Sequence, residues 1–272
     1  LQKYFVNGKV RSDKALEILS NRLIKQTPSW VYNHMILPLA PFAVKGFIWY
    51  QGEANAGNKL AYCEKQQAMI HCWRKLWHNE AMPFLFVQLP NYRKYNKRPE
   101  GGDGFAGIRL AQLKCLRSTP NTGMAVTLDI GEENNLHPPN KLDVGKRLAL
   151  WALAKYYGFD KLEYSGPLVE QAVWDGKNVV ISFFHSKDGL IIGKRSGSED
   201  KLRGFAIQNK SGEWKWADAT PDGNRVVIPA RQEPVAVSYA YRSNPIHANL
   251  YNRAGLPASS FLCPVINNKE KH

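Results

Sequence analysis

The sequence predicts an α/β fold: a parallel sheet flanked by helices over residues 1–160, followed by a small β-sandwich over residues 161–272. Three observations predict it. Residues 1–160 alternate helix-period segments with short apolar runs, as parallel strands joined by crossover helices do. From about residue 161 the helical period disappears. Short runs of alternating hydrophobicity, separated by turn residues, replace it. The chain is also long enough for such a core, with 272 residues of which 44% are hydrophobic.

The elements follow in order. Residues 13–26 read as a helix, with Leu16, Leu19 and Leu23 on one face and Asp13 near its start. Pro28 ends it, and residues 30–43, with Pro38 and Pro41, are irregular. Val44–Tyr50 is a buried strand that runs into a polar loop. Lys59–Trp77 is a helix with Met69, Trp73, Leu76 and Trp77 at helical spacing. Phe84–Leu89 is a second strand, residues 90–104 a glycine-rich basic loop, and residues 105–118 a helix with Leu110, Leu113 and Leu116. Met124–Ile130 is a third strand, followed by a polar loop ending in His137. Pro138 or Pro139 then opens a helix with Val144, Leu148 and Trp151 on its apolar face.

In the second part the strands expected are Asn178–Ser186, Phe205–Gln208, Glu213–Ala217, Arg225–Pro229 and Val235–Tyr241. Asp175-Gly176, Ser211-Gly212 and Pro221-Asp222-Gly223-Asn224 mark turns between them. Trp174, Trp214 and Trp216 are assigned to core packing or an interdomain contact, in preference to a carbohydrate-binding module. Trp73, Trp77 and Trp151 are assigned to the core.

Charge and cysteines narrow the function. The net charge of +14 is spread along the chain. Only Arg93, Lys94, Lys97 and Arg98 cluster, on a loop that is either solvated or attracts a carboxylate. No nucleic-acid motif accompanies them, so nucleic acid is not expected as a partner. Cys63, Cys72, Cys115 and Cys263 form no metal-binding pair and are too few for a disulfide scaffold. Core thiols are expected, and no metal or other cofactor. The apolar stretch around Met35–Tyr50 is broken by Pro38, Pro41 and Lys45, so it is not read as a membrane span.

Two polar constellations stand where chemistry belongs in such a sheet, past the carboxyl ends of strands. The first is Gln51-Gly52-Glu53-Ala54-Asn55. Gly52 lets the backbone approach a ligand, and the Asn55 amide can donate to a developing oxyanion. The alternative is a strand cap with a satisfied polar network. The second is Asp129-Ile130-Gly131, then Asn134-Asn135-Leu136-His137-Pro138-Pro139-Asn140-Lys141. A histidine just before a helix start is biased towards the neutral imidazole that a general base needs. The alternative is an ordinary surface histidine.

Gly46–Asn55 resembles the block GxIWYQGExN of the sialate O-acetylesterase family, within the SGNH (GDSL-like) hydrolases. Asp129–Ala149 resembles the family's His-bearing block with its HP-x-(N/D)-K…VG-x-RLA tail. Trp30–Leu39, Phe84–Leu89 and Arg109-Leu110-Ala111-Gln112 are similar to further family segments. The likeness is strong over residues 28–157 and continues more weakly to Phe261.

The resemblance implies an SGNH-type sheet and removal of acetyl groups from sialic acid or a related sugar, without a cofactor. A serine attacks the acetyl carbonyl and a histidine takes its proton. By position, His137 is the base and Asn55 an oxyanion donor, while Gln51, Gly52 and Glu53 shape the substrate loop. The positions of the acid that partners the histidine hold Asn135 and Asn134, so the alternatives are Asp129, Glu132 or Glu133 as substitutes, or a Ser–His dyad. The family's nucleophile motif, GQSNM, has no counterpart in this chain. The nucleophile strand is therefore expected upstream of Leu1, which leaves the sheet over residues 1–160 lacking its first strand. An acetylated sugar and that amino-terminal segment are the partners expected, and the location implied is periplasmic or secreted. A non-catalytic carbohydrate-binding relative of the esterases is the alternative function.

Overall fold

The structure, a computed structural model, describes residues 5–6, 9–10, 27, 29–193 and 200–267. The helix expected over 13–26 lies outside them. Two compact units are present: residues 1–45 with 71–80, and residues 46–70 with 81–272.

In the first unit, β1 (Phe5–Val6) pairs antiparallel with β2 (Lys9–Val10). Residues 30–39, expected to be irregular, form tight helical turns up to Leu39. There the His34 ring stacks on Trp30 at 4.7 Å, and its Nδ1 lies 2.9 Å from the Trp30 carbonyl oxygen. The indole N–H of Trp77 donates to the Phe42 carbonyl at 2.9 Å.

The second unit holds the predicted parallel sheet. β3 (Phe47–Trp49), β4 (Phe84–Gln88) and β5 (Thr122–Val126) run parallel in the order β3-β4-β5. Three helices accompany it: α1 (Ala61–Leu76), whose last turns belong to the first unit, α2 (Ala106–Ser118) and α3 (Lys141–Tyr156). All five residues of β4 are buried, as expected for a central parallel strand. Leu85, Val87 and Ala125 pack against Val144, Leu148 and Trp151 of α3, the helical face read from the sequence. The Trp151 indole also donates to the Met124 carbonyl at 2.9 Å, so its one polar atom is satisfied inside the core. β3 is an edge strand, and its Ile48 is 73% exposed.

One helix start differs from expectation. α3 begins at Lys141, not at Pro138 or Pro139, because Asn140 caps it. The Asn140 side chain accepts from the Asp143 backbone N–H at 3.1 Å and donates to the Asp143 carboxylate at 2.8 Å. His137 therefore lies three residues before the cap.

From Leu168 onward the regular elements of the described chain are all strands. They form one eight-stranded sheet in the order β10-β9-β13-β15-β6-β7-β12-β11, plus a separate pair, β14 (Leu250–Asn252) with β8 (Leu190–Ile192). The sheet strands are β6 (Leu168–Trp174), β7 (Asn178–Phe184), β9 (Phe205–Gln208), β10 (Trp214–Trp216), β11 (Thr220–Asp222), β12 (Arg225–Pro229), β13 (Ala236–Tyr239) and β15 (Phe261–Asn267). The turns expected at Asp175-Gly176 and Ser211-Gly212 fall where predicted, with Asp175 Oδ1 accepting from the Lys177 and Asn178 N–H groups. Of Pro221–Asn224 only Gly223-Asn224 turns, since Pro221 and Asp222 pair in a strand. The sandwich expected as two sheets is continuous because β15 changes partner along its length. Phe261–Pro264 pairs antiparallel with β13, and Val265–Asn267 pairs parallel with β6. Inside the curl, Phe261 meets Phe183 at 5.9 Å and Phe205 at 6.3 Å.

Arg109 of α2 ties this sheet to the parallel one. It is fully buried, and it donates to Leu89 and Pro90 just past β4 and to Arg242 and Ser243 just past β13. Burial pushes its guanidinium down to about 9, so it remains charged at neutral pH. Four carbonyl acceptors make that buried charge tolerable. No helix among the described residues is long and apolar enough to cross a membrane.

Candidate active site

The carboxyl ends of β3 and β5 open into the two predicted loops, and the loop after β4 joins them. The three meet in a cleft of about 560 Å³. Gln51, Glu53 and His137 all line it, together with Tyr50, Arg93 and Lys141. Tyr92 and Phe105, stacked at 5.5 Å, complete its aromatic wall.

The β3 loop is pre-built by hydrogen bonds. Gly52 has φ +153°, in the region that favours glycine, and a Cβ there would stand 3.2 Å from both Ile108 and Leu89. That turn brings the Asn55 backbone N–H onto the Gly52 carbonyl at 2.9 Å. The Gln51 amide donates to Asn55 Oδ1 at 2.8 Å, and Asn55 Nδ2 donates to Asn58 Oδ1 at 2.7 Å. The Tyr62 hydroxyl donates to Gln51, to its carbonyl at 2.9 Å and its side-chain oxygen at 3.1 Å. An amide nitrogen has two N–H groups, so Asn55 retains one beyond its bond to Asn58. Burial raises the Tyr62 phenol to about 12. Burial, with the Glu53 charge adding to it, does the same to Tyr50. The Tyr50 hydroxyl is buried with no partner among the described residues, and the Lys141 ammonium sits 4.8 Å above its ring.

The β5 loop is held by Asn91, which accepts from the Gly131 N–H at 2.8 Å, and by the Arg93 N–H, which donates to the Glu133 carbonyl at 2.8 Å. His137 is solvent-exposed in the cleft wall, and no described residue hydrogen-bonds its ring. Asn135 fixes its backbone instead: Oδ1 accepts from the His137 N–H at 2.9 Å, and Nδ2 donates to Glu132 at 3.0 Å. Asn134 is exposed. Asp129 is engaged elsewhere, because both its oxygens accept from Arg147 of α3 and one also accepts from the Tyr251 hydroxyl.

Of the predicted residues, the structure thus brings Gln51, Glu53 and His137 to one surface, with Gly52 buried beneath and Asn55 bonded to Gln51. Gly52, Asn55, Asn134, Asn135 and Asp129 are not among the cleft's lining. Sequence reasoning missed Phe105 and gave Leu136 and Lys141, though within the second constellation, no role of their own. Lys141 stood in the quoted His-bearing block, so its place there was the available signal. Among the described residues no three His, Cys, Asp or Glu side chains group as metal ligands would.

Residues 20–153 match the family model described as carbohydrate esterase, sialic acid-specific acetylesterase. The chain is 34% identical over 179 residues to the sialate O-acetylesterase of Rattus norvegicus, which covers 60% of this chain and 32% of that protein. It is also 34% identical over 160 residues to the Homo sapiens sialate O-acetylesterase, covering 53% and 30%. The chain thus spans about a third of the length of these curated relatives. A crystal structure of a carbohydrate acetylesterase from Xanthomonas citri superposes with a TM-score of 0.80 at 40% identity, over 91% of this chain and 56% of that one. Motif blocks, family model and superposed fold agree: residues 20–153 of this chain match the sialic acid-specific carbohydrate esterase family.

Proposed function

We propose that this chain forms the base-and-oxyanion side of an SGNH-type carbohydrate O-acetylesterase acting on acetylated sialic acid or a related sugar. The observation that carries this reading is the convergence of Gln51, Glu53 and His137 on one cleft at the strand ends. In the proposed reaction a serine Oγ adds to the acetyl carbonyl carbon while His137 takes the serine proton. Asn55 donates to the oxyanion. Collapse expels the sugar oxygen, which receives the proton from His137. Water, activated by His137, then releases acetate and restores the serine.

No serine, threonine or cysteine lines the cleft among the described residues, so the nucleophile is proposed to come from a segment outside them. The exposed edge strand β3 offers that segment a place to pair. Arg93 and Lys141 give the cleft two cations suited to a sugar carboxylate. Periplasmic or secreted location is proposed on the same family grounds.

The test is acetate release from O-acetylated sialic acid by the full-length protein and its His137→Ala variant. Loss of about 10³-fold or more in kcat with unchanged thermal stability is expected, since His137 is exposed. Equal, background-level rates for the two proteins, with retained sugar binding, would instead identify a non-catalytic carbohydrate-binding relative.

A further inference from the structure

A second cavity, of about 310 Å³, lies between the loop after β4 and the strands of the eight-stranded sheet. Its volume falls within the range of small-molecule pockets. Its wall is aromatic and rigidly built. The Arg242 guanidinium is sandwiched between Trp216, at 4.3 Å from the ring centroid, and Tyr95, at 5.7 Å. Arg242 donates to the Asn96 and Arg98 carbonyls, and the Trp216 indole donates to the Lys97 carbonyl at 3.2 Å. His247 packs edge-on against Tyr95 at 5.0 Å. Trp216 stays 43% exposed, so of the two places expected for it, core packing or an interdomain contact, the core is not the one it takes.

The polar groups at this cavity do not pair with one another. Lys201 and Arg203 line it, both exposed, and neither has a carboxylate within ion-pair distance among the described residues. Among the described residues that line the cavity, Asp218 is the one acid beside Lys201, Arg203 and Arg242, the last of which also feels the Asp103 and Glu100 charges. A fixed aromatic face beside unpaired cations and one carboxylate fits a ring with hydroxyls and a negative charge. The loop that supplies Tyr95 also supplies Tyr92 and Arg93 to the first cleft. It is held in place partly by the Gly102 N–H, which donates to the Tyr241 carbonyl at 2.8 Å, and a Cβ on the neighbouring Gly101 would overlap that oxygen.

We infer that this cavity is a second saccharide-binding site, selective for a carboxylate-bearing sugar: the ring lies on Trp216, the carboxylate meets Lys201 and Arg203, and Asp218 accepts from ring hydroxyls. The choice of a sugar over other ringed anions rests on the esterase reading. The site holds a further residue of an acidic glycan whose acetylated unit occupies the first cleft.

The test uses the full-length protein and calorimetric titration with 3′-sialyllactose, lactose and a nucleoside diphosphate, alongside hydrolysis of 4-nitrophenyl acetate, which is too small to reach both sites. Trp216→Ala and the double variant Lys201→Gln/Arg203→Gln are each expected to weaken 3′-sialyllactose binding about tenfold or more. The wild type is expected to prefer it to lactose, and 4-nitrophenyl acetate hydrolysis is expected to stay unchanged. Wild-type affinity for 3′-sialyllactose in both variants, equal affinity for lactose, or preference for the nucleoside diphosphate would overturn the inference. Should Trp216→Ala lower the melting temperature, the exposed Lys201/Arg203 variant decides alone. Failure of the wild type to hydrolyse 4-nitrophenyl acetate would count against the esterase reading, while the titration still reads this site.

Discussion

The Asp129 carboxylate receives both nitrogens of the Arg147 fork, at 2.6 and 2.7 Å, and so serves α3 rather than His137. Arg147 also donates to the Val126 carbonyl at 2.7 Å, which locks the end of β5 to the helix that follows it. Both side chains are nearly buried, at 11% and 12% exposure, so their charges depend on each other.

Asp129→Ala should therefore act on stability first. A loss of roughly 2–3 kcal/mol is expected, read by denaturant unfolding. At a temperature where the variant is still folded, it should keep its acetate release within a few fold. A large fall in kcat with an unchanged unfolding midpoint would make Asp129 the histidine's partner after all.

Asn55→Ala should act on rate. Removing one oxyanion donor costs about 10²–10³-fold in kcat, with a much smaller change in KM. Steady-state kinetics on an acetylated sugar would show it. If KM rises and kcat holds, Asn55 binds the ground state and the oxyanion role falls.

Tyr62 makes stability depend on alkaline pH. Its phenol is raised from 10.0 to about 12 in the folded chain, chiefly by burial. Between those values the unfolded chain has lost the proton and the folded chain keeps it. Stability is then lost as pH rises from 10 to 12, by on the order of 2–3 kcal/mol from this group. Tyr62→Phe should flatten that part of the profile while costing about 1 kcal/mol at pH 7 through its lost bonds to Gln51. An alkaline profile identical to the wild type would reject the assignment.

Arg109→Ala removes a donor from four buried carbonyls, of which that of Ser243 keeps the Tyr92 N–H, and opens a cavity. A loss of 3 kcal/mol or more is expected, measured by thermal unfolding. Arg109→Lys should recover little of it, since one ammonium on a flexible stem cannot reproduce the fork that reaches both sheets.

The parallel core was legible because its signals are local. Apolar runs named β3, β4 and β5, and helical spacing named the face of α3 that carries Val144, Leu148 and Trp151. Boundaries shifted where a side chain decided them, as Asn140 did for α3. β6 and β15 went unread. A register shift between Val169 and Gln171 breaks the alternation of β6. Pro264 argues against a strand interior, yet β15 accommodates it where pairing passes from β13 to β6.

The sequence by itself determined which residues follow the strand ends, because a short buried strand delivers the residues after it to one rim of the sheet. Gln51, Glu53 and His137 were identifiable on that ground. Only the tertiary structure decided the partners. Asp129 meets Arg147 and Tyr251, Arg109 meets Arg242 and Ser243, and Trp216 stacks on Arg242 and donates to Lys97. The physical reason is distance along the chain. A side chain's nearest acceptor, counter-charge or stacking partner is set by which segments the fold packs together, and no spacing within either segment encodes that choice.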